Sequence, residues 1–228
     1  MLKSSKAFTL AETLIVIGVI GIVSALTLPN LNSSTGDKEI VTKVKKIYQN
    51  LNDAYGRAVA VYGPYDEWFV NDGNDSAAKA KRAGERITEF MKIQKDCAME
   101  ANKGCAHVGA DAATTTYKII STDGMSIVFS YSSQKINISA DIDGPTKGNR
   151  SQGKDNFAFI IESDDVGIVP MGFNESFSDI LTECKNGGRR AYSTEWIIRF
   201  DNADYLKIDR DGKCPNGTTP TESNPRCK

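Results

Sequence analysis

The sequence predicts an α+β fold: a long N-terminal helix, membrane-spanning in its first half and amphipathic in its second, packed on an antiparallel β-sheet head domain. Three observations point there. Residues 8–28, FTLAETLIVIGVIGIVSALTL, are apolar apart from one ionisable residue, Glu12. Residues 38–62 repeat apolar side chains every three or four positions, and Asp123-Gly124 separates two β-rich runs.

The apolar run has 21 residues, about 32 Å as helix at roughly 1.5 Å per residue. That matches the roughly 30 Å hydrocarbon layer of a bilayer. The expectation is a single membrane pass with the rest of the chain facing water. A carboxylate inside such a helix costs about 2.5–3.5 kcal/mol near the centre. No Lys, Arg or His lies in 8–28 to offset it. The cation has to come from elsewhere, and a newly exposed α-amine on a neighbouring copy would serve.

These residues carry a family resemblance. KAFTLAETLIVIGVIGIV resembles the N-terminal signature of type IV pilins and type II secretion pseudopilins. The resemblance implies a leader, residues 1–7 with Lys3 and Lys6, removed between Ala7 and Phe8 by a prepilin peptidase that also methylates Phe8. Glu12, fifth in the mature chain, would then pair with the N-terminal amine of an adjacent subunit, and Pro29 falls where many pilins carry a helix-breaking proline. Ala7 departs from the usual glycine before the cut, yet is still small. The implied division is leader 1–7, transmembrane and assembly helix 8–29, and a pilin-like head 30–228, in a single-pass protein of the bacterial inner membrane with its head outside the cytoplasm, later moved into a surface or periplasmic filament. Implied partners are other pilin or pseudopilin subunits, the peptidase/methyltransferase, an inner-membrane assembly platform and the membrane itself. A secretory signal cut after Val23-Ser24-Ala25 is the competing reading, but it leaves Glu12 without a role; so does a plain one-pass anchor.

Beyond Pro29, the breakers in LNSSTGD predict a loosened or bent helix near Gly36. The amphipathic segment 38–62 follows, with Ile40, Val44, Ile47, Leu51, Ala54, Tyr55 and Ala58 on one side and Lys43, Lys46 and Arg57 on the other. Gly63-Pro64 ends it. Residues 76–98 have helical composition, with Ile87, Phe90, Met91 and Ile93 as the buried set, and 104–113 read as a loop.

Residues 117–122 and 125–131 predict a hairpin, because Asp-Gly accepts the positive φ angles of a two-residue turn. Residues 136–142 and 157–162 predict two more strands, and 167–169 a short return before Pro170. Residues 194–200 form an apolar element whose type the pattern leaves open, and the proline-containing tail from Gly212 reads as loop.

Basic and acidic residues number 28 and 29, so no global field favours nucleic acid. A patch built from Arg189, Arg190, Lys213, Arg226 and Lys228 offers only a few phosphate contacts, and nucleic acid is not an expected partner, although a DNA-uptake role would use such a patch. Five cysteines, Cys97, Cys105, Cys184, Cys214 and Cys227, lie beyond the apolar run, where disulfides are the default in an oxidising compartment. Cys97 and Cys105 are near enough to close a local loop; pairing among the other three stays open, and one must be left over.

The segment 141–155, DIDGPTKGNRSQGKD, places Asp141, Asp143 and Asp155 around a glycine-rich turn. Calcium accepts such loops, and some pseudopilin heads bind it. The twelve-residue EF-hand pattern is absent, however, and aspartate and glycine are also ordinary turn residues. No other cofactor is implied. The sole histidine, His107, sits beside Cys105, and no nucleotide-binding glycine loop occurs. The expected function is a structural subunit of a type IV pilus or type II secretion pseudopilus, not an enzyme. The alternative is a secreted or membrane-tethered binding domain that does not polymerise.

Overall fold

In the computed structural model of the chain, residues 10–147, 151–162 and 166–227 are described, without the side chains of 12, 23–35, 108 and 109. They fall into two units, Met1–Glu39 and Ile40–Lys228. Helix α1, Leu10–Tyr62, contributes to both.

In the first unit the backbone stays helical through Pro29 and Gly36, where the sequence predicts a break. A proline inside a helix removes one hydrogen bond and costs about 3 kcal/mol; several turns on either side carry the helix through it. The membrane-spanning half of the predicted fold needs correction. Among the described residues, no helix is long and apolar enough to cross a membrane. This finding goes against the single-pass inner-membrane location and the transmembrane helix expected above.

The second unit is built on a six-stranded antiparallel meander in the order β1-β2-β3-β4-β5-β6. The strands are β1 Ile93–Ala98, β2 Tyr117–Ser121, β3 Ser126–Ser132, β4 Lys135–Asp141, β5 Asn156–Ile161 and β6 Ile168–Pro170. The β2–β3 turn is the Asp123-Gly124 one, with Gly124 at φ 80° and Ile120 paired to Ser126. The β3–β4 turn uses Ser133 and Gln134, both at positive φ, a costlier choice than Asn-Gly. Strand β1 corrects the helical reading of 76–98: helix α2, Ser76–Thr88, ends early, and the chain pairs with β2 through two register shifts.

Alternation sorts the sheet's faces. Ile136, Ile138 and Ala140 of β4 and Phe157, Phe159 and Ile161 of β5 are buried toward one side, the period-2 pattern of a strand with one core face. Val44, Ile47, Leu51, Ala54, Tyr55 and Ala58 of α1 join the same core, and the Tyr48 ring stacks on Phe159 at 5.9 Å. Helix α2 adds Ala83 and Ile87, capped at its start by Asp75, whose carboxylate accepts from the amides of Ala77 and Ala78. One turn of helix, α3 Val108–Asp111, interrupts the segment read as loop, and helices α4 Phe177–Cys184 and α5 Ser193–Phe200 close the β6 end, α5 burying Trp196 and Ile197. The segment 194–200, open in the sequence, is thus helical.

Candidate functional site

The processing positions Ala7 and Phe8 lie outside the described residues. Glu12 and Pro29 are in the helical backbone of α1, without described side chains. From Leu10 to Ile22 large apolar side chains point out on every side of the helix: Leu10, Leu14, Ile15, Val16, Ile17, Val19, Ile20 and Ile22 are each more than half exposed. A helix with no polar face is one whose working environment is apolar, and eight large side chains in one turn-to-turn sequence exceed the scattered apolar exposure of an ordinary monomer.

The carboxylates of the 141–155 segment come together where β4 ends and β5 begins. Asp141 and Asn156 are opposite each other in the ladder, and the Ile142 amide donates to the Asp155 carbonyl at 2.7 Å. The Asp143 amide donates to Asp141 Oδ1 at 3.4 Å. Asp141 and Asp155 are both buried. Asp141 Oδ2 and Asp143 Oδ1 are enclosed with no N–H or O–H donor among the described residues. Burial, then Asp143, then Asp155 push the Asp141 carboxyl up to about 7. Among the described residues no group of three or more His, Cys, Asp or Glu side chains is placed to hold a metal ion. The described carboxylates alone fall short of the six to eight oxygens calcium takes; Gly148, Asn149 and Arg150 of the same segment lie outside the described residues.

Two disulfides are formed, Cys97–Cys105 and Cys214–Cys227, leaving Cys184 as a buried thiol. The first ties β1 to the long loop that leads from it to β2, on the second face of the sheet. Lys118 of β2, fully buried, fastens that loop by donating to the carbonyls of Asp111 at 3.0 Å and Ala113 at 2.5 Å. The Asp111 carboxylate accepts from the amides of Gly104 and Cys105. Here His107 meets Ser126, Ser139 and Asp141 around a cavity of about 10 Å³, room for about one water and no substrate. Ser126 donates to the Cys105 carbonyl and Ser139 to Asn156 Oδ1, so neither hydroxyl is directed by an imidazole.

Of the basic patch, Arg189 is drawn to Glu183 at 3.3 Å and the Arg190 amide donates to the Glu183 carbonyl. The patch therefore sits against an acidic residue.

Two buried charges carry no signal in the sequence reading, Lys118 and Glu195. Each interrupts an apolar stretch, YKIIS and STEWIIRF. A charge inside a short apolar element is the mark that would have found them, as it found Glu12. Comparison of this chain with family models, curated proteins and solved structures gives no match.

Proposed function

We propose that this chain is a structural subunit of a type IV pilus or type II secretion pseudopilus, polymerised through the first part of α1 after removal of residues 1–7. The observation that carries the reading is the all-round apolar surface of α1 from Leu10 to Ile22, directly following a leader-like sequence with Phe8 and Glu12 at their fixed spacing. Bundling α1 helices from several copies removes that surface from water, at about 25 cal/mol per Å² of apolar area. Within the bundle, the Glu12 carboxylate pairs with the amine of Phe8 on a neighbour and so fixes the axial register. A paired buried charge is tolerated where a lone one is not. Partners under this reading are other subunits, the prepilin peptidase/methyltransferase and an assembly platform.

The test is the mature N-terminus together with the assembly state. Mass spectrometry of protein from cells is expected to find a chain starting at methylated Phe8, and shearing is expected to release it in filaments. Glu12→Ala is expected to leave expression and cleavage intact and to abolish filaments. A chain that keeps residues 1–7 and is never sheared off in polymers would instead be a non-polymerising binding domain.

A further inference from the structure

A cleft of about 420 Å³ lies between α1, the turn after β6, and α5, bounded by Tyr48, Phe173, Ile198, Glu175, Glu195 and Arg199. It is of a size to enclose a side chain or small ligand. Glu195 is the unusual member: its side chain is only 8% exposed, yet its cation is distant, with Arg199 Nη1 4.0 Å from Oε1. Arg199 is committed elsewhere. Its Nη2 donates to Glu222, its Nη1 to the Glu175 carbonyl at 3.5 Å, and its guanidinium lies 5.4 Å from the centre of the Phe200 ring.

The groups facing Glu195 are therefore the Tyr48 phenol from α1, Glu175 from the turn, Arg199 from its own helix and, through Arg199, Glu222 from the tail. Two carboxylates, Glu175 and Glu195, line the cleft against the one guanidinium of Arg199, whose Nη2 is already given to Glu222. Burial pushes the Glu195 carboxyl up to about 7, against the pull of Arg199, the condition of an acid lacking a close donor. The walls are apolar and aromatic, and Phe173 remains 39% exposed at the mouth.

We infer that this cleft binds a lysine side chain of a partner protein, its ammonium on the Glu195 carboxylate and its alkyl stem between Tyr48 and Phe173. The charge balance selects a cation, and the compact ammonium gives Glu195 the charge-assisted hydrogen bond that Arg199 does not. A norleucine side chain would fill the same walls while leaving Glu195 buried without a donor. This inference is independent of filament formation.

Nα-acetyl-lysine-N-methylamide, with the norleucine analogue as its uncharged counterpart, probes the cleft in NMR titrations of the full chain. The lysine probe is expected to shift Tyr48, Phe173 and Glu195 resonances saturably, with at least about tenfold tighter binding than norleucine, equivalent to about 1.4 kcal/mol. Glu195→Gln is expected to erase that preference, and Phe173→Ala, a change at an exposed mouth, to weaken the lysine probe several-fold. Equal binding of the two probes, or no saturable shift at tens of millimolar lysine probe, overturns the inference. Should Glu195→Gln fail to fold by circular dichroism, Phe173→Ala decides: unchanged lysine affinity there also overturns it.

Discussion

Gly84 of α2 lies against the ring of Tyr117 in β2 so closely that a Cβ at residue 84 would sit 2.4 Å from Tyr117 Cδ1 and 2.8 Å from its Cβ. The contact is with the root of the side chain, so a rotamer change does not relieve it. Tyr117 is itself fixed, its hydroxyl donating to Asp96 Oδ2 at 2.7 Å on β1. Alanine is the better helix former by about 1 kcal/mol, but overpacking costs about 1–3 kcal/mol. Gly84→Ala is therefore expected to lower stability by up to about 2 kcal/mol in urea unfolding, where helix propensity alone predicts a gain.

Stability is expected to fall as pH rises from about 4 to 7. Asp141 and Glu195 each titrate at about 7 in the folded chain, whereas unfolded carboxylates titrate near about 3.9–4.3. Between those values the folded state holds more protons than the unfolded one, which makes the slope of unfolding free energy against pH negative. The contribution is complete below the unfolded values and lost as pH passes through about 7. Asp141→Asn and Glu195→Gln are each expected to remove part of that slope in urea titrations at pH 4.5 and 7.5. A slope unchanged in both variants would show that neither carboxyl holds its proton in this range.

The free-thiol count separates the cysteines. Burial pushes the Cys184 thiol up, Glu183 reinforcing and Arg190 opposing, and the thiolate is the reactive form. Under non-reducing conditions the native chain is expected to take up no thiol reagent and the denatured chain one equivalent, at Cys184. Replacing Cys214 and Cys227 together by serine is expected to cost about 2–4 kcal/mol, as for other loops of this size. The tail has no helix or strand of its own beyond Lys207 to hold it, although Asp204 accepts from the Cys227 amide at 3.0 Å.

What the sequence makes legible in this fold is what neighbouring residues decide between themselves. Asp123-Gly124 fixes a hairpin from its own φ requirements, the alternation of 136–142 marks a strand with one core face, and Cys97 and Cys105 are close enough to pair without other knowledge. Strand β1 is different: IQKDCA has three consecutive exposed residues and becomes a strand only because β2 offers its edge. The Cys214–Cys227 pairing depends on where the tail returns, and Cys184 is left over because α4 carries it into the core. Of the sites, Asp141 and Asp143 could be read together from spacing alone. The Glu195 cleft could not, since its walls come from residues 48, 173 and 195, which only the folded sheet brings together.

Lys118 supplies the last test, because its charge is spent on backbone carbonyls of the disulfide loop and not on a carboxylate. Burial pushes its ammonium down, Asp111 pulling it back, and the two carbonyls it serves face the sheet. Lys118→Met preserves the stem's volume and removes the donor, stranding the carbonyl of Ala113 at about 1–3 kcal/mol, while that of Asp111 keeps the Asn102 amide at 2.9 Å. The expected result is a loss of that size in stability and faster amide hydrogen exchange at Gly104 and Cys105, whose amides are held by Asp111. The hairpin amides of Gly124 and Ser121 lie outside the loop and are expected to keep their relative protection. If Gly104 and Cys105 exchange no faster in the variant, the loop is held by its disulfide and not by Lys118.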